Sequence, residues 1–229
     1  EEGRQPLPPG DRSLTVDVKD GLGNPVGGAG VLVEYWLPDE ERWIVAEEAT
    51  TGDDGRAIFN DLPQGRYWII VDQDGDWANG LGFEQELWID EDEQVEVVVD
   101  ENIPEGKDGV QGEIGLGFAE YSGSILFTPL DESADGLIRR WWFAVDYATE
   151  PAPYSVLLPE GRYDVEFLYY RDDQGWIQSI GGQLDVDGTV TLPELYPWDD
   201  QCLTTSGQVT GAQPWSDPPV SNVWMADWV

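Results

Sequence analysis

Apolar and polar residues alternate through most of the chain. Leu14, Val16 and Val18 are interleaved with Thr15, Asp17 and Lys19, the period-two pattern of a half-buried strand. Asp20-Gly21-Leu22-Gly23-Asn24-Pro25 carries turn chemistry. A second strand is predicted from Gly30 to Leu37, closed by Pro38. Arg42 to Glu48 reads as a third, and Gly52-Asp53-Asp54-Gly55 as another turn. Arg56 to Phe59, Tyr67 to Val71, Glu84 to Ile89 and Gln94 to Val99 continue the series of short strands. Turn signals recur about every eight to twelve residues, and no segment offers an amphipathic helix. The pattern predicts an all-β sandwich architecture.

The same signals occur twice. Leu62-Pro63-Gln64-Gly65-Arg66-Tyr67 returns as Leu158-Pro159-Glu160-Gly161-Arg162-Tyr163, about 96 residues later, a span that suits one small domain. The flanks agree in kind: Asp74-Gly75-Asp76-Trp77 answers Asp173-Gln174-Gly175-Trp176, and Glu86-Leu87-Trp88-Ile89 answers Gln183-Leu184-Asp185-Val186. Strands at Val110 to Leu116 and Ser124 to Phe127 open the second copy. The expected organisation is a proline-rich leader or linker over 1–12, a sandwich over 13–101, a linker over 102–108, a second sandwich over 109–197 and a strand-forming tail over 198–229. In the tail, Leu203 to Thr210 echoes the strand at Leu14, and Pro219 to Met225 echoes Pro25 to Val31. The tail reads either as the first strands of a third unit or as a plain extension.

Asn24-Pro25-Val26-Gly27-Gly28-Ala29, Thr51-Gly52-Asp53-Asp54-Gly55-Arg56-Ala57-Ile58-Phe59 and Leu62-Pro63-Gln64-Gly65-Arg66-Tyr67 together resemble the carboxypeptidase regulatory-like domain, a transthyretin-like sandwich of seven strands. They are also similar to the B-type repeats of collagen-binding surface adhesins. The resemblance spans residues 13–100 well and 109–196 moderately, where the Asp-Gly turn is missing and Trp141-Trp142-Phe143 is inserted. It implies tandem transthyretin-like, Ig-like sandwiches, in which Pro-Val-x-x-Ala closes a first hairpin and Tyr67 opens a core strand. It further implies a non-catalytic spacer, stalk, assembly module, adhesin or carbohydrate-binding accessory. The isopeptide bond of the adhesin repeats is not expected. Val71 and Phe167 stand where its promoting Glu would be, and Lys19 has no evident acid partner in the sequence.

Charge narrows the function classes. The 229 residues carry 47 acids and 11 bases, a formal charge of −36. Nucleic-acid binding needs a cationic surface, so neither nucleic acid nor an anionic membrane surface is an expected partner. With no histidine and one cysteine, Cys202, ordinary zinc sites and His-based triads are excluded. Disorder is disfavoured, because 40% of the residues are hydrophobic and 12 are tryptophan, enough for a sizeable core. The acids fall in turns such as Asp72–Asp76 and Asp90–Glu93 and on alternate strand positions such as Asp17, Glu96 and Asp185. The chain begins at Glu1 without Met and reads as processed or excerpted. Such a surface suits a salty or calcium-rich exterior, and equally a plain solvated one.

Candidate sites follow from residue type. Asp72, Asp74 and Asp76 begin like an EF-hand loop, but Trp77 and Phe83 stand at its sixth and twelfth positions. The segment is a weak calcium site or an acidic turn. Trp68, Trp88, Trp141, Trp142 and Trp176 offer planar rings for a sugar or partner, or for core and inter-domain packing. Trp141 and Trp142 must point to opposite faces. Val209, Val223, Trp224 and Trp228 are candidate assembly residues, since an incomplete unit invites a strand from a neighbour. A carboxylate pair of glycosidase type has no specificity among so many acids, and no enzyme is expected. The reading is an extracellular structural protein, a subunit of a filament, stalk or surface assembly joined by strand addition and by cations such as calcium. The alternative is a polysaccharide-binding or adhesion module using exposed tryptophans.

Overall fold

The computed structural model describes residues 6–77, 79–114, 121–130, 137–146, 151–171 and 175–192. Fourteen strands account for the regular structure, and no helix occurs among these residues. The first seven are β1 (Arg12–Lys19), β2 (Gly30–Leu37), β3 (Arg42–Thr50), β4 (Arg56–Leu62), β5 (Gly65–Asp72), β6 (Gly80–Ile89) and β7 (Glu93–Val98). The second seven are β8 (Gly109–Ile114), β9 (Tyr121–Pro129), β10 (Arg139–Asp146), β11 (Ala152–Leu157), β12 (Gly161–Arg171), β13 (Gly175–Val186) and β14 (Thr189–Thr191). The fold is all-β, as the alternation predicts.

Two three-stranded sheets, ordered β4-β1-β7 and β11-β8-β14, face one eight-stranded sheet ordered β13-β12-β9-β10-β6-β5-β2-β3. In each small sheet the middle strand pairs antiparallel on one side and parallel on the other. The second seven strands thus repeat the arrangement of the first. Leu14, Val16 and Val18 point inward against Val31, Val33, Tyr67, Ile69 and Val71, all fully buried. Val110, Ile125, Phe127, Val156, Val165 and Leu184 do the same in the second half. Both sets belong to one connected core, in which each fully buried aliphatic or aromatic side chain contributes about 1.5–3 kcal/mol.

The repeated hexapeptide makes the same corner in both halves. Leu62 and Leu158 are buried. The buried Tyr67 and Tyr163 hydroxyls donate back to the carbonyls of Pro63 and Pro159 at 2.6 and 2.7 Å. In the Asp53-Asp54-Gly55 turn, Gly55 takes φ 75°, which a residue without Cβ adopts at little cost. Pro25-Val26 closes a short turn back onto the end of β1, with Pro25 bridged antiparallel to Lys19 and Val26 N donating to Val18 O at 2.9 Å. β1 pairs with β4 and β7, whereas β2 pairs with β3 and β5, so after this turn the chain crosses from one sheet to the other. Thr51 secures that crossing: its Oγ1 donates to Val26 O at 2.8 Å and accepts from Ala29 N at 2.9 Å.

Two surface readings change. Asp17 lies on the face away from the core yet is buried, covered by its cross-strand partners. Arg56 Nε donates to it at 2.6 Å, and Gln94 donates to its other oxygen. Burial pushes the Asp17 carboxyl up, but these hydrogen bonds and the Arg56 charge outweigh it and hold the group below its ordinary value. Lys19 does have an acid partner, Glu96 on β7, brought beside it by the parallel β1–β7 register.

Candidate assembly interface

The two halves meet by pairing β6 with β10. Sequence alternation places Glu84 to Ile89 in a strand but gives no reason for it to start earlier. In the structure β6 begins at Gly80, because Gly80 to Gln85 pairs antiparallel with Ala144 to Arg139. A further backbone bond, Glu86 N to Ile138 O at 2.7 Å, extends the ladder. Each half supplies an edge strand, and the union turns two four-stranded sheets into one.

The side chains at this seam are complementary on both faces. On the core face Trp141, 2% exposed, lies opposite Phe83. The rings meet edge-on, with centroids 5.2 Å apart, a favourable geometry. The same indole packs on Tyr163 of the second half at 6.3 Å and donates to the Val98 carbonyl of the first at 3.2 Å. The Arg139 guanidinium stacks over both Phe83 and Trp141, 5.4 and 5.2 Å from their centroids. On the outer face Trp142 lies opposite Gly82, where a Cβ would overlap its indole. Arg140 lies opposite Glu84 and forms an ion pair with it.

That ion pair is part of a larger polar and aromatic group over β2, β3, β5 and β6. Trp68 Nε1 donates to the second Glu84 oxygen at 2.9 Å, and the Arg140 guanidinium sits 5.8 Å from a Trp68 ring centroid. Trp43 meets Trp68 and Trp36 edge-on at 5.6 and 5.3 Å. Arg66 covers Trp43 and donates to Glu86 at 2.6 Å. Glu34, Glu84 and Glu86 are all buried here. Burial, and next the nearby Glu84 charge, push the Glu34 carboxyl above its ordinary value. Desolvated carboxylates of this kind are retained only where cations and donors meet them. Arg140 and Trp68 do so for Glu84, and Arg66 for Glu86.

Trp68, Trp88 and Trp142 lie on the outer face of the large sheet, with Trp88 56% exposed. Trp141 leaves the predicted platform for the core, as the alternation with Trp142 requires of one of them. Trp176 belongs to β13. The Asp72-Asp74-Asp76 turn is held by its own backbone amides. Asp72 Oδ1 accepts from the Gly75 and Asp74 amides at 2.7 and 3.2 Å, and Asp74 Oδ1 accepts from Asp76 N at 2.9 Å. Among the described residues no three acids, cysteines or histidines converge to hold a metal. Val209, Val223, Trp224, Trp228 and Cys202 lie outside the described residues. Alternation flags most of β6 as a strand and could have flagged β10. Their pairing had no signal beyond Glu84 in one and Arg139-Arg140 in the other.

No family model matches the chain, and no curated protein matches it. Solved structures do. The TIE protein of Bacillus anthracis aligns over 81% of this chain and 33% of its own, at 15% identity and a TM-score of 0.30. A streptococcal ancillary pilin aligns over 80% and 62%, at 13% identity and a TM-score of 0.29. The major pilin subunit of Bacillus cereus aligns over 79% and 69%, at 9% identity and a TM-score of 0.32. The chain therefore spans a third of the first of these proteins and under two thirds of the second. At these scores the likeness carries no function across.

Proposed function

We propose that this chain is a non-enzymatic structural subunit of an extracellular surface assembly, a filament or stalk. The observation that carries the reading is the seam between β6 and β10. It joins the halves through a backbone ladder, a shared core and a desolvated ion pair, where a flexible linker would have sufficed for a binding module. A stiff unit transmits tension and holds its ends apart, which is the mechanical requirement of a stalk. The acidic surface fits an exterior in which salt screens repulsion between neighbours.

The test is growth. Purified full-length chain is concentrated at low and at high salt and followed by light scattering and negative-stain microscopy. Regular polymers that lengthen with concentration support the reading. Dispersed 25.5 kDa monomers under every condition overturn it.

A second reading is favoured by Trp88, whose exposed ring lies opposite Arg66 on the outer face. It makes that face a polysaccharide contact. A saturable tryptophan-fluorescence quench by soluble polysaccharide, lost in Trp88→Ala, would support it.

A further inference from the structure

The seam is asymmetric, and this has a geometric consequence. It pairs the sixth strand of one seven-stranded half with the third strand of the other. One use of the operation consumes β6 and β10. It leaves the equivalent third strand, β3, and the equivalent sixth strand, β13, at the two ends of the eight-stranded sheet. We infer that β13 of one copy pairs antiparallel with β3 of the next, repeating the β6–β10 seam between molecules. The partner is a second copy of this chain, and the inference rests on the filament reading above. A heterologous contact of this kind extends as an open polymer unless its rotation closes a ring.

The register of this contact can be read from the internal one. Tyr67 and Tyr163 are equivalent through the repeated hexapeptide. They face Tyr35 and Pro129 on one side, and Leu87 and Leu184 on the other. Two positions along, Ile69 between Val33 and Gln85 matches Val165 between Phe127 and Gly182. Glu47 lies opposite Val33 as Trp141 lies opposite Phe127. Val71 opposite Phe83 matches Phe167 opposite Ser179. Transposing Trp141–Phe83 therefore gives Glu47–Ser179, and transposing Phe143–Leu81 gives Ala49–Ile177.

Both outer strands, each unpaired on one side among the described residues, carry a bulge, and the two bulges coincide. β3 has one extra residue, Ala46, where the β2–β3 register shifts. β13 has one extra residue, Gly181, where the β12–β13 register shifts. Past the bulges, Arg139–Gln85 transposes to Ile44–Gly182. From Ile44–Gly182 through Val45–Gly181, Ala46–Ile180 and Glu47–Ser179 to Ala49–Ile177 the pairing then runs without a slip. A bulge on one edge alone would break such a ladder. Insertions at the same place in both edges keep it in phase.

Charge agrees. In a chain of −36, β13 from Gly175 to Gln183 has no charged residue. Edge strands meant to stay single are usually guarded by charges or proline. Glu47 and Glu48 of β3, both exposed, would face Ser179 and Gln178 rather than other acids.

Disulfide mapping tests the register. Full-length Glu47→Cys and Ser179→Cys chains, each also carrying Cys202→Ser, are mixed at high salt and oxidised mildly with diamide. Opposed Cα atoms in an antiparallel pair lie about 4.5–5.5 Å apart, within reach of a disulfide. The expected result is a mixed dimer from the two chains and a ladder of multimers from the double variant. A Glu47→Cys and Gln183→Cys mixture, out of register, should give neither. Thermal melts of each variant check that it folds. Folded variants that give no specific cross-link while polymers still form would overturn this contact and leave the filament reading standing. Monomers under all conditions would overturn both.

Discussion

Replacing Trp141 by Ala tests whether the molecule has one core or two. The indole is 2% exposed. It touches Phe83 of the first half and Tyr163 of the second, and its N–H reaches the Val98 carbonyl. Truncation of a buried aromatic residue to Ala costs about 3–5 kcal/mol through lost contacts and the cavity left behind. The loss of the hydrogen bond adds about 1 kcal/mol. In a protein of this size each kcal/mol shifts the melting temperature by about 2–4 °C, so a fall of roughly 8–24 °C is expected. Trp141→Phe keeps most of the ring but not the donor, and should cost only about 1–2 kcal/mol. Urea unfolding followed by circular dichroism gives the total. Amide exchange read at β6 and β10 gives the location. In Trp141→Ala these amides should exchange before those of β1 and β8, as the seam opens ahead of the two halves. A loss below about 1 kcal/mol, with seam amides as protected as in the parent, would refute the shared core.

Other expectations are equally specific. Gly82→Ala pushes a methyl group into the Trp142 indole and should cost about 1–3 kcal/mol; Trp142→Ala in the same chain should recover most of it, and a double-mutant cycle with no coupling would sink the claim. Arg140→Ala strands Glu84 in a buried site and should cost about 3 kcal/mol or more, while adding Glu84→Gln should recover part of the loss, both read by urea midpoints. Tyr67→Phe and Tyr163→Phe each remove one corner hydrogen bond and should each cost about 1 kcal/mol; widely different values would show that the two corners are not equivalent.

The Asp72 carboxyl is raised to about 7 by burial and then by the neighbouring Asp74. The folded chain therefore holds a proton that the unfolded chain has released between about pH 4 and 7, and this group's contribution is lost as pH rises through that window. Asp72→Asn keeps the acceptor for the Gly75 amide and removes the charge. It should raise the melting temperature at pH 8 and leave it unchanged at pH 4; an equal shift at both pH values would show that Asp72 does not titrate there.

Alternation was enough to find the strands of the first half, because a period of two marks the face each residue turns to the core. Leu14, Val16 and Val18 are buried as their spacing requires. The twin Leu-Pro-x-Gly-Arg-Tyr segments announced twin corners, because turn chemistry is local. Neighbours across a sheet are not local. Nothing in a period of two says that Gly80 to Gln85 pairs with a strand more than fifty residues away, or that the chain crosses to the other sheet after turning back at Pro25-Val26. The acids misled for the same reason. Asp17 falls on an alternate strand position away from the core, yet it is buried, because Arg56 and Gln94 come to it only when the strands assemble. Trp141 and Trp142 had to face opposite ways. Which of them entered the core was decided by Phe83 and Gly82 on the facing strand, one offering a ring to pack against and the other a space to fill. The sequence by itself determined the strands, their faces and the repeat. Tertiary structure decided which edges met, because that choice depends on the fit of two surfaces far apart in the chain.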